Sequence, residues 1–290
     1  MHSWTRTFAT VLALGMGALV WAQSAVLEAP STSPAGKELS ISARGNGKAT
    51  LYLIGPSHVL KRTVELGQNV PIAGEDLTAA GIYQLVLCAS DGCANKTVQI
   101  LPAEASRLSF LLHPSRVPVS ARNAVNATAL VFDRYHNIVL APTKVNFRIN
   151  LAGQPASERS VTTNRGIGSF VMDSRPTQGT LEVKASLGDV TEPRVIQQVA
   201  SEACHLKMNA TTSGRTVNLQ TDPIRDCAGN PLPDGTIVSF TKLDRAGKST
   251  VDTPIKKERA TAQFNVSGPA RISVACGVVV GNEVALGGKL

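Results

Sequence analysis

Asp133-Arg-Tyr135-His136-Asn137-Ile138-Val-Leu-Ala-Pro142-Thr-Lys-Val145-Asn-Phe147 returns further along the chain as Asp226-Cys227-Ala-Gly229-Asn230-Pro231-Leu-Pro233-Asp-Gly235-Thr236-Ile-Val238-Ser-Phe240. The segment that opens each copy recurs too: Ala103-Glu104-Ala105-Ser106-Arg107-Leu108 matches Ser201-Glu202-Ala203-Cys204-His205-Leu206. A repeat this long is a whole domain and not one turn of a solenoid. Between the turn residues, apolar side chains fall on every second position. Leu108, Phe110 and Leu112 share a parity, as do Val145, Phe147 and Ile149, and Leu181, Val183 and Ala185. Leu206 with Met208, Val238 with Phe240, and Ile272, Val274 and Cys276 repeat the pattern in the second copy. A period of two broken by Gly, Pro, Asn and Asp is the mark of half-buried strands joined by turns, at the spacing of a β-sandwich. No amphipathic helical stripe follows residue 22.

The junctions at 102–105 and 200–203 place boundaries so that three modules are expected, residues 23–102, 103–200 and 201–290. Linkers this short predict limited articulation and an elongated rod. In the first module the segment Asp76-Leu-Thr-Ala-Ala-Gly81-Ile-Tyr83 has the form of an immunoglobulin-like corner, in which a Tyr near the start of the penultimate strand bonds back to the chain. Leu85 stands where antibody-type domains carry Cys, and the core Trp of those domains is missing. The fold class is therefore all-β: tandem immunoglobulin-like β-sandwiches after a cleaved signal peptide.

That signal peptide is read from residues 1–22. Arg6 precedes an apolar run from Phe8 to Ala22 that closes on Val20-Trp21-Ala22, a secretory leader with cleavage after Ala22. No later stretch is long and apolar enough to span a bilayer as a helix, so no transmembrane segment is expected after cleavage. The exported product is assigned to the periplasm or cell envelope of a bacterium, or to the medium.

Composition narrows the function. Hydrophobic residues at 43% supply packed cores, and charged residues at 17% are too few for a disordered chain. The formal net charge of +8 is spread singly along the sequence, with Lys256-Lys257-Glu258-Arg259 the densest cluster. Nucleic-acid binding proteins concentrate such charge and interleave aromatics, so no nucleic-acid partner is expected. His58, His113, His136 and His205 stand apart, at no metal-ligand spacing. Asp222 with Asp226, and Asp133 with Asn137, are conceivable cation ligands, but turn capping explains them with fewer assumptions. There is no G-x-S-x-G, Walker or H-E-x-x-H pattern. The chain is read as non-enzymatic, without cofactor or metal.

All five cysteines lie beyond the leader, where disulfides persist. Cys88 and Cys93 flank Ala89-Ser90-Asp91-Gly92, a turn between two strands, and are expected to staple that hairpin. Of the other three, Cys204 with Cys227 is the favoured pair and Cys227 with Cys276 the next. In the repeat Cys276 matches Ala185, an inward site for a free buried thiol. A third alternative is an intermolecular bridge through whichever thiol is left over.

The residues Asp226-Cys-Ala-Gly229-Asn230-Pro231-Leu-Pro-Asp-Gly235 followed by Thr236-Ile-Val238-Ser-Phe240 resemble the D-x-x-G-N-P…V-x-F pattern of bacterial immunoglobulin-like domains of the invasin and intimin type. Thr163-Asn-Arg-Gly166-Ile-Gly-Ser-Phe170 is similar to that family's later T-x-x-G-x-a-x-F element, degraded in the next module to Lys257-Glu-Arg-Ala260-Thr-Ala-Gln-Phe264. The middle module departs at Tyr135-His136-Asn137-Ile138, where the Gly and Pro are lost. The likeness covers residues 103–290 and is weaker over 23–102. It implies an exported structural or adhesive spacer of the cell envelope, without catalysis, whose partner is an envelope protein or polysaccharide. A module that binds polysaccharide or an anionic envelope polymer is the alternative, as is a subunit of an envelope assembly that adds a strand at a free sheet edge.

Overall fold

The strand Lys144–Leu151 shows why this sequence makes sheets: Val145, Phe147, Ile149 and Leu151 are buried while Lys144, Asn146, Arg148 and Asn150 face out. A strand sends alternate side chains to opposite faces, so one parity packs and the other is solvated. The computed structural model describes residues 25–287, and the leader read from residues 1–22 lies outside them. Strands account for the secondary structure of the described residues, apart from one 3₁₀ turn at Gly74–Leu77. The all-β sandwich reading holds.

Contacts divide the chain after Leu101 into two compact units. In the first, a three-stranded sheet runs in the order Val26–Glu28, Leu39–Arg44, Gln68–Ile72. A five-stranded sheet runs Thr32–Pro34, Gly92–Leu101, Gly81–Ala89, Lys48–Ile54, Val59–Glu65. Thr32–Pro34 pairs in parallel with Gly92–Leu101, so the chain leaves the first sheet after one short strand and joins the second. Tyr83 sits on the first turn of Gly81–Ala89 and is fully buried. Its ring occupies the space above Gly55, where a Cβ would lie 2.3 Å from Tyr83 Cε1. The expected bond back to the chain is not completed: the Ala79 amide is the group that faces the buried hydroxyl, yet the contact falls short of hydrogen-bond geometry.

The second unit holds two separate hydrophobic clusters. One gathers Phe110, Val145, Phe147, Phe170, Leu181 and Val183 among others, with Phe147 at its centre, 5.6 Å from the Phe110 ring and 4.9 Å from that of Phe170. The other gathers Met208, Leu219, Val238, Phe240, Ile272 and Val274. Around the first cluster the sheets repeat the topology of residues 25–101. Ala105–His113, Val125–Asp133 and Ile167–Met172 form three strands, and Arg116–Pro118 crosses to pair in parallel with Val190–Val199.

The last module departs from this plan. Its strands Met208–Ser213 and Thr216–Thr221 are joined by Gly214-Arg215 alone, with Gly214 at φ +61°, where the middle module has residues 114–124. That deletion removes the crossing strand. Asn282 of the edge strand Val279–Leu286 reaches the first strand, its amide accepting from the Met208 N–H (2.6 Å) and donating to the Met208 carbonyl (2.9 Å), as Glu192 accepts from the Phe110 N–H (3.1 Å) in the middle module. The sequence repeat thus joins the middle and last modules, whereas strand order joins the first and middle ones.

Two registers differ from the sequence alignment. Phe147 pairs with Ala185, but its equivalent Phe240 pairs with Val274, so Cys276 stands two residues beyond the place of Ala185. Several connections between these strands are shorter in the last module, 266–269 in place of 173–178 and 245–246 in place of 152–156. Likewise Val131 N–H donates to Gly166 O (2.9 Å) and its equivalent Ile224 N–H to Glu258 O (2.7 Å), so Glu258 and not Ala260 replaces Gly166. Glu258 adopts φ +68° there, the left-handed conformation that glycine takes freely.

Gly55→Ala is expected to destabilise the first unit by about 1–3 kcal/mol through overpacking against Tyr83, whereas Tyr83→Phe should change stability by less than about 1 kcal/mol because the lost hydroxyl has no completed bond. Urea unfolding of the two variants checks both statements; a large loss for Tyr83→Phe would show that the corner bond does form.

Candidate functional site

Asp133 and Asp226 end matching strands and are almost wholly buried. An ionised carboxylate is an acceptor only, with room for about four hydrogen bonds. Asp133 Oδ1 accepts from the backbone N–H groups of Tyr135 and Asn137 (both 2.9 Å), and Oδ2 accepts from Asn137 Nδ2 (2.8 Å) and the Ala103 N–H (2.8 Å). Asp226 repeats this with Ala228 N–H (2.9 Å), Asn230 N–H (2.8 Å), Asn230 Nδ2 (3.1 Å to Oδ2) and Ser201 N–H (3.1 Å). Both carboxylates therefore cap a turn and grip the residue that enters the module. Burial pushes their pKa values up, but the amide donors outweigh it and hold both below the ordinary carboxylate value. These are turn caps with every acceptor site in use. Among the described residues no cluster of three or more His, Cys, Asp or Glu is placed to hold a metal.

Asn230 extends the grip across the junction of the middle and last modules. Its Nδ2 donates to Pro176 O (2.8 Å), and its Oδ1 accepts from the Gln178 N–H (3.1 Å). Beside it, Gln198 is fully buried and ties the same loop, accepting from Arg175 N–H (2.7 Å) and donating to Thr177 O (2.8 Å). One buried amide side chain from each module thus holds residues 175–178 in place.

The same junction carries an open groove of about 800 Å³, lined by Pro118, Val119, Ala203, Leu232, Cys227 and Cys276. Cys204 and Cys227 are bonded, as are Cys88 and Cys93 across their turn, while Cys276 is a free, buried thiol. Burial pushes the Cys276 thiol up, which keeps it protonated and a poor nucleophile. Of the histidines, His58 lies edge-on to Tyr83 at 6.4 Å between ring centres. His136 and His205 hold left-handed turn positions at φ +69° and +56°, and His113 ends its strand. The structure does not bring these four together into one site.

The outward faces of two equivalent sheets differ in chemistry. In the middle module the rows Leu111-Thr128-Ser169 and Ser109-Leu130-Ile167 mix aliphatic and hydroxyl groups. In the last module the rows are Asn209-Gln220-Thr261, Thr211-Asn218-Gln263 and Ser213-Thr216-Asn265, all amides and hydroxyls without a charge or an apolar group. A sequence reading that follows inward parity passes over this face. Its signal is present in the complementary parity of the strands within residues 209–220 and 261–265, where only Asn, Gln, Thr and Ser fall.

With this geometry in view the fold has known counterparts. The adhesin FdeC of Escherichia coli aligns over 92% of this chain and 97% of its own, with TM-score 0.65 and 14% identity. Invasin, a bacterial integrin-binding protein, aligns over 88% of this chain and 58% of its own, with TM-score 0.50 and 13% identity. No family model and no curated protein sequence matches. The chain has the immunoglobulin-like sandwich fold of bacterial adhesin domains. At these identities the likeness is one of architecture.

Asp226→Asn is expected to cost about 2–4 kcal/mol, since an amide puts a donor where four donors converge. Because the folded pKa is depressed, the stability contributed by Asp133 and Asp226 is fully present above the ordinary carboxylate pKa of about 4 and is lost as pH falls through the lower folded values. Denaturation midpoints measured at descending pH should fall below about pH 4, and the variant should show a shallower decline. Cys204→Ala with Cys227→Ala opens a cross-link of sequence separation 23 and should cost about 3 kcal/mol. In the intact protein Cys276 should resist iodoacetamide until denaturant is added; rapid labelling in buffer would contradict its burial.

Proposed function

We propose that the chain is an exported, non-enzymatic protein of the bacterial cell envelope, with leader 1–22 and three immunoglobulin-like modules at 23–102, 103–200 and 201–290, that acts as a structural or adhesive spacer. The observation that carries this reading is the pair of saturated carboxylates, Asp133 and Asp226, each spent on fixing the entry of a module. Buried ionisable groups at catalytic centres are poised to exchange protons near neutral pH. These two are held ionised and fully bonded, which serves position and not turnover. The two disulfides fit an oxidising compartment, and among the described residues no helix is long and apolar enough to cross a membrane. Architectural likeness to FdeC and invasin supports an adhesive role.

Cell fractionation with crosslinking and mass spectrometry tests the reading. The expected result is a product beginning after Ala22, recovered with the envelope or at the cell surface and crosslinked to an envelope component. Recovery only as an unattached soluble monomer would overturn the adhesive role, and a turnover abolished by one substitution would overturn the non-enzymatic one. Asn230→Ala should leave each core folded while widening the distribution of distances between spin labels on the middle and last modules.

A further inference from the structure

The amide and hydroxyl face of the last module continues into two connected depressions. One, of about 620 Å³, is lined by Asn218, Gln220 and Gln263 together with Leu219, and by Val251 and Thr253 from the edge strand Gly247–Pro254 of the other sheet. The second, of about 420 Å³, shares Gln220, Thr253 and Thr261 with the first and is closed at its far end by Lys256, Lys257 and Arg259. Among the described residues Asn218, Gln220 and Gln263 make no side-chain hydrogen bond within the protein, and the Thr253 hydroxyl is buried without a partner. A buried hydroxyl left unpaired costs stability unless something outside the fold bonds it. The nearby acids are already engaged: Asp222 by Asn209 Nδ2 (2.9 Å), Glu258 by Arg225 (2.7 Å) and Asp234 by the Lys257 N–H (3.0 Å). Asp234 lies beside Lys257, but among the described residues neither lysine ammonium is paired with a carboxylate, and Lys256, Lys257 and Arg259 leave the turn with a net positive charge.

We propose that this face and the adjoining basic turn form a binding site for an acidic polysaccharide. Neutral amides and hydroxyls in rows match the hydroxyl groups of successive sugars, each able to donate and accept. Lys256 and Lys257 meet the carboxylates that uronate-type sugars carry. The absence of aromatic side chains from the face disfavours stacked bases. The proposal rests on the reading of the chain as a holding protein and names the class of molecule held.

Oligogalacturonate immobilised on a biosensor, with dextran and polyglutamate as the neutral and the non-sugar anionic controls, tests this with the full chain. Binding to oligogalacturonate is expected to exceed binding to either control. Asn218→Ala with Gln263→Ala should weaken it about tenfold, the loss of two net hydrogen bonds. Lys256→Gln with Lys257→Gln should reduce it to the dextran level and remove its dependence on salt. Thermal unfolding midpoints should not move, because these side chains support nothing inside the module. Failure to bind oligogalacturonate, unchanged binding by either double variant, or equal capture by polyglutamate would overturn the proposal. Retention of the chain in the envelope fraction would still stand in each of those cases, so the two readings fail separately.

Discussion

A buried carboxylate that accepts four amide hydrogen bonds is the interaction on which the second unit depends. Asp133 and Asp226 each stand at the end of a strand, cap the turn that follows, and hold the backbone of the residue at which the module begins. A charge taken out of water is costly, and it is tolerated here because every lone pair is met by an oriented donor. The carboxylate thereby joins two pieces of chain that are distant in sequence, its own turn and the entry residue. Asn230 adds a third by reaching residues 176–178. These few bonds tie the last module to the end of the middle one.

Much of this architecture was legible because sandwiches write their core on alternate residues. Val145, Phe147 and Ile149 could be placed inward from parity alone, and the turn Asp226 to Gly235 announced itself through residues that bond their own backbone or tolerate positive φ. What sequence could not supply was register. Matching Phe170 with Phe264 put Ala260 at the place of Gly166, yet the backbone bond from Ile224 shows that Glu258 stands there. Side-chain type misleads at such a position, since a non-glycine residue can occupy the left-handed region when surrounding bonds fix the turn. Cys276 was misplaced by two residues for the related reason that connection lengths vary between copies.

Strand order was harder still. The loss of residues equivalent to 114–124 is visible as a gap in the repeat, but its effect is non-local: a strand disappears from the opposite sheet. The candidate site was hidden for a different reason. Inward parity carries the fold signal, so Asn218, Gln220 and Gln263 read as ordinary solvated positions. Only the pairing of three strands reveals that they stand side by side, next to a turn whose Lys256 and Lys257 fall between Gln220 and Gln263 in the chain.

Both disulfides close over a short span of sequence, with Cys204 and Cys227 both made before Cys276. With Cys227 bonded to Cys204, the third sulfur of the module has no partner, although Cys227 and Cys276 line the same groove. A reducing environment would therefore return Cys227 to the thiol form beside a second thiol, so the bond that fixes the module's entry also keeps these two sulfurs from exchanging partners.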